Sequence, residues 1–153
     1  MEEKFAISIY VSDKPGVLVR IAQTFARRGY NVDSLVVSPA HNTNFSRITV
    51  VVQGVPSSYD QILRQLNKLV DVVHAASHPS TDIVDREMAL FKVRAKPDQR
   101  AEIFQIVEVF RAKTVDITDQ SLVIETTGDS LKIDALEKLL EPMGLVEMVR
   151  SGK

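Results

Sequence analysis

An α+β chain built from two β-α-β-β-α-β units in tandem is predicted by three features of the sequence. Period-2 apolar runs and 3.6-period runs follow one another in that order twice, a polar proline-containing stretch separates the two series, and glycine or proline marks most breaks. At 153 residues the chain has room for one ordinary domain or two small ones, and an apolar content of 44% supports a packed core.

In the first series, Phe5, Ile7, Ile9 and Val11 alternate with Ala6, Ser8 and Tyr10, as in a strand with one buried face. Residues 13–35, DKPGVLVRIAQTFARRGYNVDSL, are the stretch around which this half is organised. Pro15 presets φ for a first helical turn, and Gly16 lets the backbone approach whatever lies above it. Val17, Leu18, Ile21, Ala22 and Phe25 recur at helical spacing as the expected core face, with Arg20, Gln23, Thr24, Arg27 and Arg28 opposite. Gly29 stands where a helix stops in the left-handed conformation, two arginines complementing its dipole. A second strand is expected over about 32–38, closed by Pro39. The turn-rich PAHNTN loop leads to a third over 46–52, with Ile48, Val50 and Val52 on one face. Ser58 and Gln61 have capping-box spacing ahead of a helix carrying Tyr59, Ile62, Leu63, Leu66 and Leu69, and 70–76 reads as a fourth strand. This order folds as a four-stranded antiparallel sheet with both helices on one face, a ferredoxin-like unit. Its edges and its uncovered face are where a partner most simply adds.

The linker is read at residues 78–82, HPSTD, dividing the chain into 1–78 and 79–153. The second series repeats the order with different residues. A strand is expected over 88–95, then a helix opened by Pro97 with Ile103, Ile106, Val107 and Phe110. A hairpin follows over 114–118 and 122–126 around Asp119 and Gln120, then a helix capped by Asp129 or Ser130 and ended by Pro142 and Gly144, and a strand over 145–149. The halves look like an architectural duplication, although only the first carries the DKPG turn.

Charge and composition narrow the function classes. Nineteen basic against twenty acidic residues leave a net of −1, so no global field draws the chain to nucleic acid or an anionic membrane. There is no cysteine, hence no disulfide, thiolate metal site or thiol nucleophile. The start, MEEKFAISIYV, has neither a signal peptide's pattern nor a transit peptide's, and no apolar run nears the ~20 residues that span a bilayer. A soluble cytoplasmic protein is expected.

Enzymatic readings find little support, and no catalytic residue, metal site or cofactor is assigned. His74 and His78 read as surface histidines rather than a metal pair, and Asp82, Asp85 and Glu87 as a solvated run beside the linker. No Walker loop or G-x-G-x-x-G occurs, and the third strand, SRITVVV, lacks the paired aromatics on which RNA bases would stack.

Two readings of the remaining features stand side by side. In a structural one, Asp13 caps the helix, Gly16 permits a tight turn, Gly29 ends the helix and Asn31 tolerates an awkward backbone. In a ligand reading, the N–H groups at the helix start form an anion site, and Asn31, whose amide both donates and accepts, is a second anchor. Within one chain Asn31 lies beyond the far end of the helix from Gly16. A two-fold partner would have to bring its own Asn31 to the turn, which makes the site an interface site.

DKPGVLVRIAQTFARRGYNVDSLVVSPA, SRITVVVQG, QLNKLVDVVHA, DREMALFKVRA, FRAKTVDIT and VEMVRSG, in that order and over nearly the whole chain, resemble the regulatory small subunits of acetohydroxyacid synthase (acetolactate synthase). The resemblance implies that the first unit is an ACT domain, pairing side by side with a second copy into an eight-stranded sheet. It implies a homodimer that is not itself catalytic. Such a subunit activates the separate thiamine-diphosphate-dependent catalytic subunit and confers feedback inhibition by valine or another branched-chain amino acid. Carried over by position, the backbone of Gly16, Val17 and Leu18 would meet the ligand carboxylate and Asn31 of the other protomer its polar head. Asp13 and Val32 complete the implied ligand-binding set. Asp13 stands where many family members have asparagine, and an ionised aspartate repels a carboxylate while attracting an ammonium. The sequence given stops at Lys153, where family members usually run on for a short tail. A structural activator without amino-acid control, and an ACT-domain regulator of another protein, are the alternative readings.

Overall fold

The computed structural model describes residues 2–42, 44–78 and 83–153. They form two compact units, one ending at Val84 and the other spanning Asp85–Gly152. Most of the linker expected at 78–82 lies outside the described residues.

The first unit runs β1 (Glu3–Ser12), α1 (Val17–Arg27), β2 (Asn31–Pro39), β3 (Phe45–Gly54), α2 (Tyr59–Asn67) and β4 (Val72–His78). Its strands form one antiparallel sheet in the order β2-β3-β1-β4, with the expected ferredoxin-like topology. Alternation sets the register: Phe5, Ile7 and Ile9 lie opposite Val52, Val50 and Ile48. That face buries them against Val17, Ile21 and Phe25 of α1 and Ile62 and Leu66 of α2. Burying each such side chain contributes roughly 1.5–3 kcal/mol, so this layer dominates the unit's stability.

The end of α1 is as its sequence predicts. The Gly29 N–H donates to the Ala26 carbonyl and the Tyr30 N–H to that of Phe25, a Schellman stop with Gly29 at φ +74°. Other local expectations are corrected. Asp13 does not cap α1, because Gly16, at φ +84°, holds the N-cap position and no side chain bonds there. Pro15 therefore precedes the cap rather than opening the helix. Ser58 forms no capping box, since its hydroxyl donates to the Val55 carbonyl and accepts from Tyr30. The strand expected from residue 70 begins at Val72, leaving Val70 in an exposed turn. Leu18 and Ala22, expected in the core, are exposed on the flank of α1.

The second unit runs β5 (Glu87–Arg94), α3 (Arg100–Val109), β6 (Lys113–Ile117), β7 (Ser121–Gly128), α4 (Ser130–Leu140) and β8 (Leu145–Arg150), with sheet order β6-β7-β5-β8. Phe91, Val93, Leu122 and Ile124 bury one sheet face against Ile103, Ile133, Leu136 and Leu140. Asp129 caps α4 as expected, accepting from the Lys132 N–H at 2.9 Å. The duplication extends to the stop of α3, where Arg111 and Ala112 repeat the bonds of Gly29 and Tyr30, but with an arginine at φ +53°. Glu87 is not part of a solvated run. It is buried, and Arg150 donates to its Oε1 from two guanidinium nitrogens while donating to Asp134 at 2.5 Å from the third.

Candidate functional site

The head of α1 is built by a turn that the end of β1 must make. The Ser12 N–H donates to the Asp71 carbonyl at 2.8 Å and the Asp13 N–H to that of Asn44 at 3.0 Å, so the backbone is fixed from both neighbours before it turns. Lys14 N–H bonds back to Ser12, and Gly16 takes the left-handed conformation that swings the chain into the helix. The Val17 N–H reaches the Lys14 carbonyl at 3.4 Å, and the Arg20 N–H that of Gly16 at 3.2 Å. The N–H groups of Gly16, Leu18 and Val19 have no acceptor among the described residues. With no capping side chain to compete, the positive end of the helix dipole is presented to whatever occupies the turn.

Four charged side chains surround this turn, two of each sign. Arg20 ion-pairs with Asp71, and Lys14 lies 4.0 Å from the same carboxylate. Arg20 also leans over the turn: a Cβ on Gly16 would stand 3.5 Å from its guanidinium. Asp13 is exposed. Such a balanced set suits a zwitterion better than a simple anion. Arg20 and Asp71 are absent from the sequence-predicted site, because periodicity places Arg20 on the wet face and gives no sign of a partner 51 positions away.

Asp13, Gly16, Val17 and Leu18 are thus together at one end of the unit. Val17, expected to meet a ligand through its backbone, is buried in the core and its N–H is already turned to the Lys14 carbonyl, whereas Leu18 is an exposed side chain at the site's edge. Asn31 and Val32 are elsewhere, at the start of β2 beyond the C-terminus of α1. An 11-residue helix separates the two groups by roughly 16 Å. Tyr30 fixes the approach to Asn31: its ring packs edge-on against Phe5 and Phe25, and its hydroxyl donates to the Ser58 carbonyl at 3.0 Å. Gly54 makes this fit, since a Cβ there would stand 2.5 Å from the Tyr30 ring. The Asn31 side chain itself is exposed and has no hydrogen bond among the described residues.

β2 is a free edge with an apolar flank. None of its backbone groups bonds outward from the sheet among the described residues. Val32, Leu35 and Val37 lie opposite Val52, Val50 and Ile48 and so face the helix side, yet with Leu18 of α1 each is at least 40% exposed. These are core-type residues at the margin of a core.

Elsewhere the chemistry is sparse. His74 and His78 lie on one face of β4 opposite Tyr10 and Ala6, four residues and therefore about 13 Å apart, too far to share one metal ion. Tyr10 and Phe45 stack on each other at 5.1 Å on the helix-free sheet face. Among the described residues no group of three or more His, Asp or Glu side chains is arranged to hold a metal ion, and no helix is long and apolar enough to cross a membrane.

Comparison with known proteins covers both units. Residues 7–74 match the AHAS small subunit-like ACT domain, and residues 86–153 match the small subunit of acetolactate synthase. The chain is 44% identical over 146 residues to the acetolactate synthase small subunit of Mycolicibacterium smegmatis, covering 95% of this chain and 86% of that one. It is 40% identical over 150 residues to the probable acetolactate synthase small subunit of Archaeoglobus fulgidus, covering 98% and 94%. The crystal structure of the small subunit from Thermotoga maritima superposes with a TM-score of 0.88 at 39% identity, over 98% of this chain and 94% of that one.

Proposed function

The chain belongs to the acetolactate synthase small subunit family, and from that premise we propose that it is the regulatory partner of a separate, thiamine-diphosphate-dependent catalytic subunit. On this reading residues 1–78 are the amino-acid-sensing ACT domain and 79–153 the C-terminal domain of the small subunit. The chain activates the catalytic subunit in the cytoplasm and transmits feedback inhibition by valine.

The observation that carries the sensing role is the uncapped head of α1 at the same end of the sheet as the far end of the free β2 edge. β1 and β2 are both antiparallel to β3, so they run the same way. β1 ends at the Gly16 turn, and the C-terminal end of β2 lies at that same end of the sheet. Two β2 strands related by a two-fold axis normal to the sheet pair antiparallel, with the helices of both copies on one face. Such pairing carries the partner's Asn31 across the ~16 Å that separates Asn31 from Gly16 within one chain. It also buries Leu18, Val32, Leu35 and Val37.

A valine in that interface places its carboxylate on the free N–H groups of Gly16 and Leu18, its ammonium toward Asp13, and its side chain against the apolar flank. A carboxylate at a helix N-terminus gains about 0.3–1 kcal/mol, up to ~2 when partly buried. Burial of the valine side chain adds roughly 1.5–3, and hydrogen bonds to charged groups about 1.5–3 each. After association costs this reaches ~4–8 kcal/mol, or millimolar to micromolar affinity, the range suited to sensing a metabolite.

Reconstitution with the catalytic subunit, assayed with and without valine, leucine and isoleucine, tests the reading. Activation together with inhibition by one of them supports it in full. Activation without amino-acid response selects a structural activator, the reading that Asp13 favours through its repulsion of a carboxylate. Failure to associate with the synthase selects a regulator of another protein.

A further inference from the structure

Resting on the β2-paired dimer proposed above, we infer that Asn67 closes the opposite edge of the first sheet to strand addition. It thereby makes β2 the edge at which this sheet accepts a second copy of the chain. The sheet has two edges, β2 and β4. An edge strand offers its outward N–H and C=O groups to any strand that approaches.

On β4 the central position is already taken. The Ala75 N–H donates to Asn67 Oδ1 at 2.9 Å, and Asn67 Nδ2 donates to the Ala75 carbonyl at 3.1 Å. These two bonds, to both backbone groups of one residue, are what an antiparallel neighbour would make there. Ala75 is the midpoint of Val72–His78. Asn67 is the last residue of α2, and its Nδ2 also donates to the Leu63 carbonyl at 2.9 Å, so the amide is held in place from its own helix.

Bulk does not do this work. An open groove of about 760 Å³ runs beside β4, lined by Asp60 and Arg64 of α2, by Lys68 just after it, and by Ala76 and Ser77 of the strand. The edge is reachable, and its central hydrogen-bonding groups are satisfied. Among the described residues no side chain caps the β2 backbone in this way, and β2 carries the exposed Leu35 and Val37. Were both edges open, β2 and β4 contacts would alternate and the dimer would grow into an open-ended array.

The test is sedimentation of the full chain against concentration, with amide exchange at Ala75 read in parallel. Asn67→Ala and Asn67→Ser, two truncations so that a folded variant is in hand, are expected to speed Ala75 exchange and to grow past the parent with concentration, roughly doubling its mass. A second background separates this inference from the dimer reading. Leu35→Lys/Val37→Lys is expected to be monomeric, and adding Asn67→Ala to it is expected to restore concentration-dependent pairing through β4. Faster Ala75 exchange with the parental mass at every concentration would overturn the inference, as would Ala75 protection unchanged by the truncations at the dilution where their mass equals the parent's. If the double lysine variant keeps the parental mass, the β2 dimer is what fails, and growth of Asn67→Ala over its parent still judges the role of Asn67.

Discussion

Arg20 and Asp71 form an ion pair that ties the first turns of α1 to the residue preceding β4, with the Arg20 guanidinium leaning over Gly16. The same Asp71 accepts from the Ser12 N–H through its carbonyl, so one residue braces the turn from backbone and side chain alike. Replacing Asp71 by Asn keeps the backbone bond and releases the guanidinium toward the turn. Asp71→Asn is expected to cost about 1 kcal/mol or less in stability and to lower the valine concentration needed for half-maximal thermal stabilisation. Arg20→Ala should raise that concentration, and a thermal-shift titration of both variants decides.

Valine at about 100 times its Kd should raise stability by about 2.7 kcal/mol through linkage. Asn31→Ala should abolish this rise while changing unliganded stability by no more than about 0.5 kcal/mol, because the side chain is exposed and unbonded. Gly16→Asp should also abolish it. That variant costs roughly 1–2 kcal/mol for an L-residue at φ +84°, which urea unfolding without ligand measures separately.

In the second unit Glu87→Ala removes the buried partner of Arg150, whose guanidinium is a quarter exposed and keeps Asp134, and is expected to cost about 1–3 kcal/mol. Asp134→Ala, which removes only the exposed arm of the same network, should cost under about 1 kcal/mol. Comparable losses in chemical denaturation would show that the burial of Glu87 does not set the balance.

Arg111→Gly is expected to stabilise the chain by about 0.5–1 kcal/mol. Relief of the left-handed strain, roughly 1–2 kcal/mol, exceeds the entropy that glycine adds to the unfolded chain, about 0.4–1. Gly29→Ala, at the matching stop of α1, should lose stability, and equilibrium unfolding of the pair tests whether the two stops are equivalent.

The architecture was legible in the sequence because each element announces itself locally. Ile7 and Ile9 alternate, Gly29 stops a helix, and Asp129 starts one. What escaped was decided by partners far along the chain. Glu87 reads as a surface carboxylate until Arg150, 63 positions on, is beside it. Ser58 reads as a helix cap until Tyr30 claims its hydroxyl. Leu18 and Ala22 show the limit of periodicity, which marks residues that avoid water without saying whether their own chain covers them. For the candidate site, the DKPG turn and the RRGYN stretch stood out in the sequence, the ligand roles of Gly16 and Asn31 came from the family resemblance, and the run of β1 and β2 in one direction sets the two at opposite ends of the sheet.

Tyr30 carries one more consequence. Its ring is gripped by Phe5 and Phe25, seated on Gly54, and latched to Ser58 at the threshold of α2. The residue after it inherits that rigidity, so on the proposed reading Asn31 would meet a ligand with its main chain already held and only two side-chain torsions left to freeze, about 0.5–1.5 kcal/mol of entropy. The latch also joins two segments distant in sequence: the Tyr30 ring ties the start of β2 to Ser58, the residue that precedes α2.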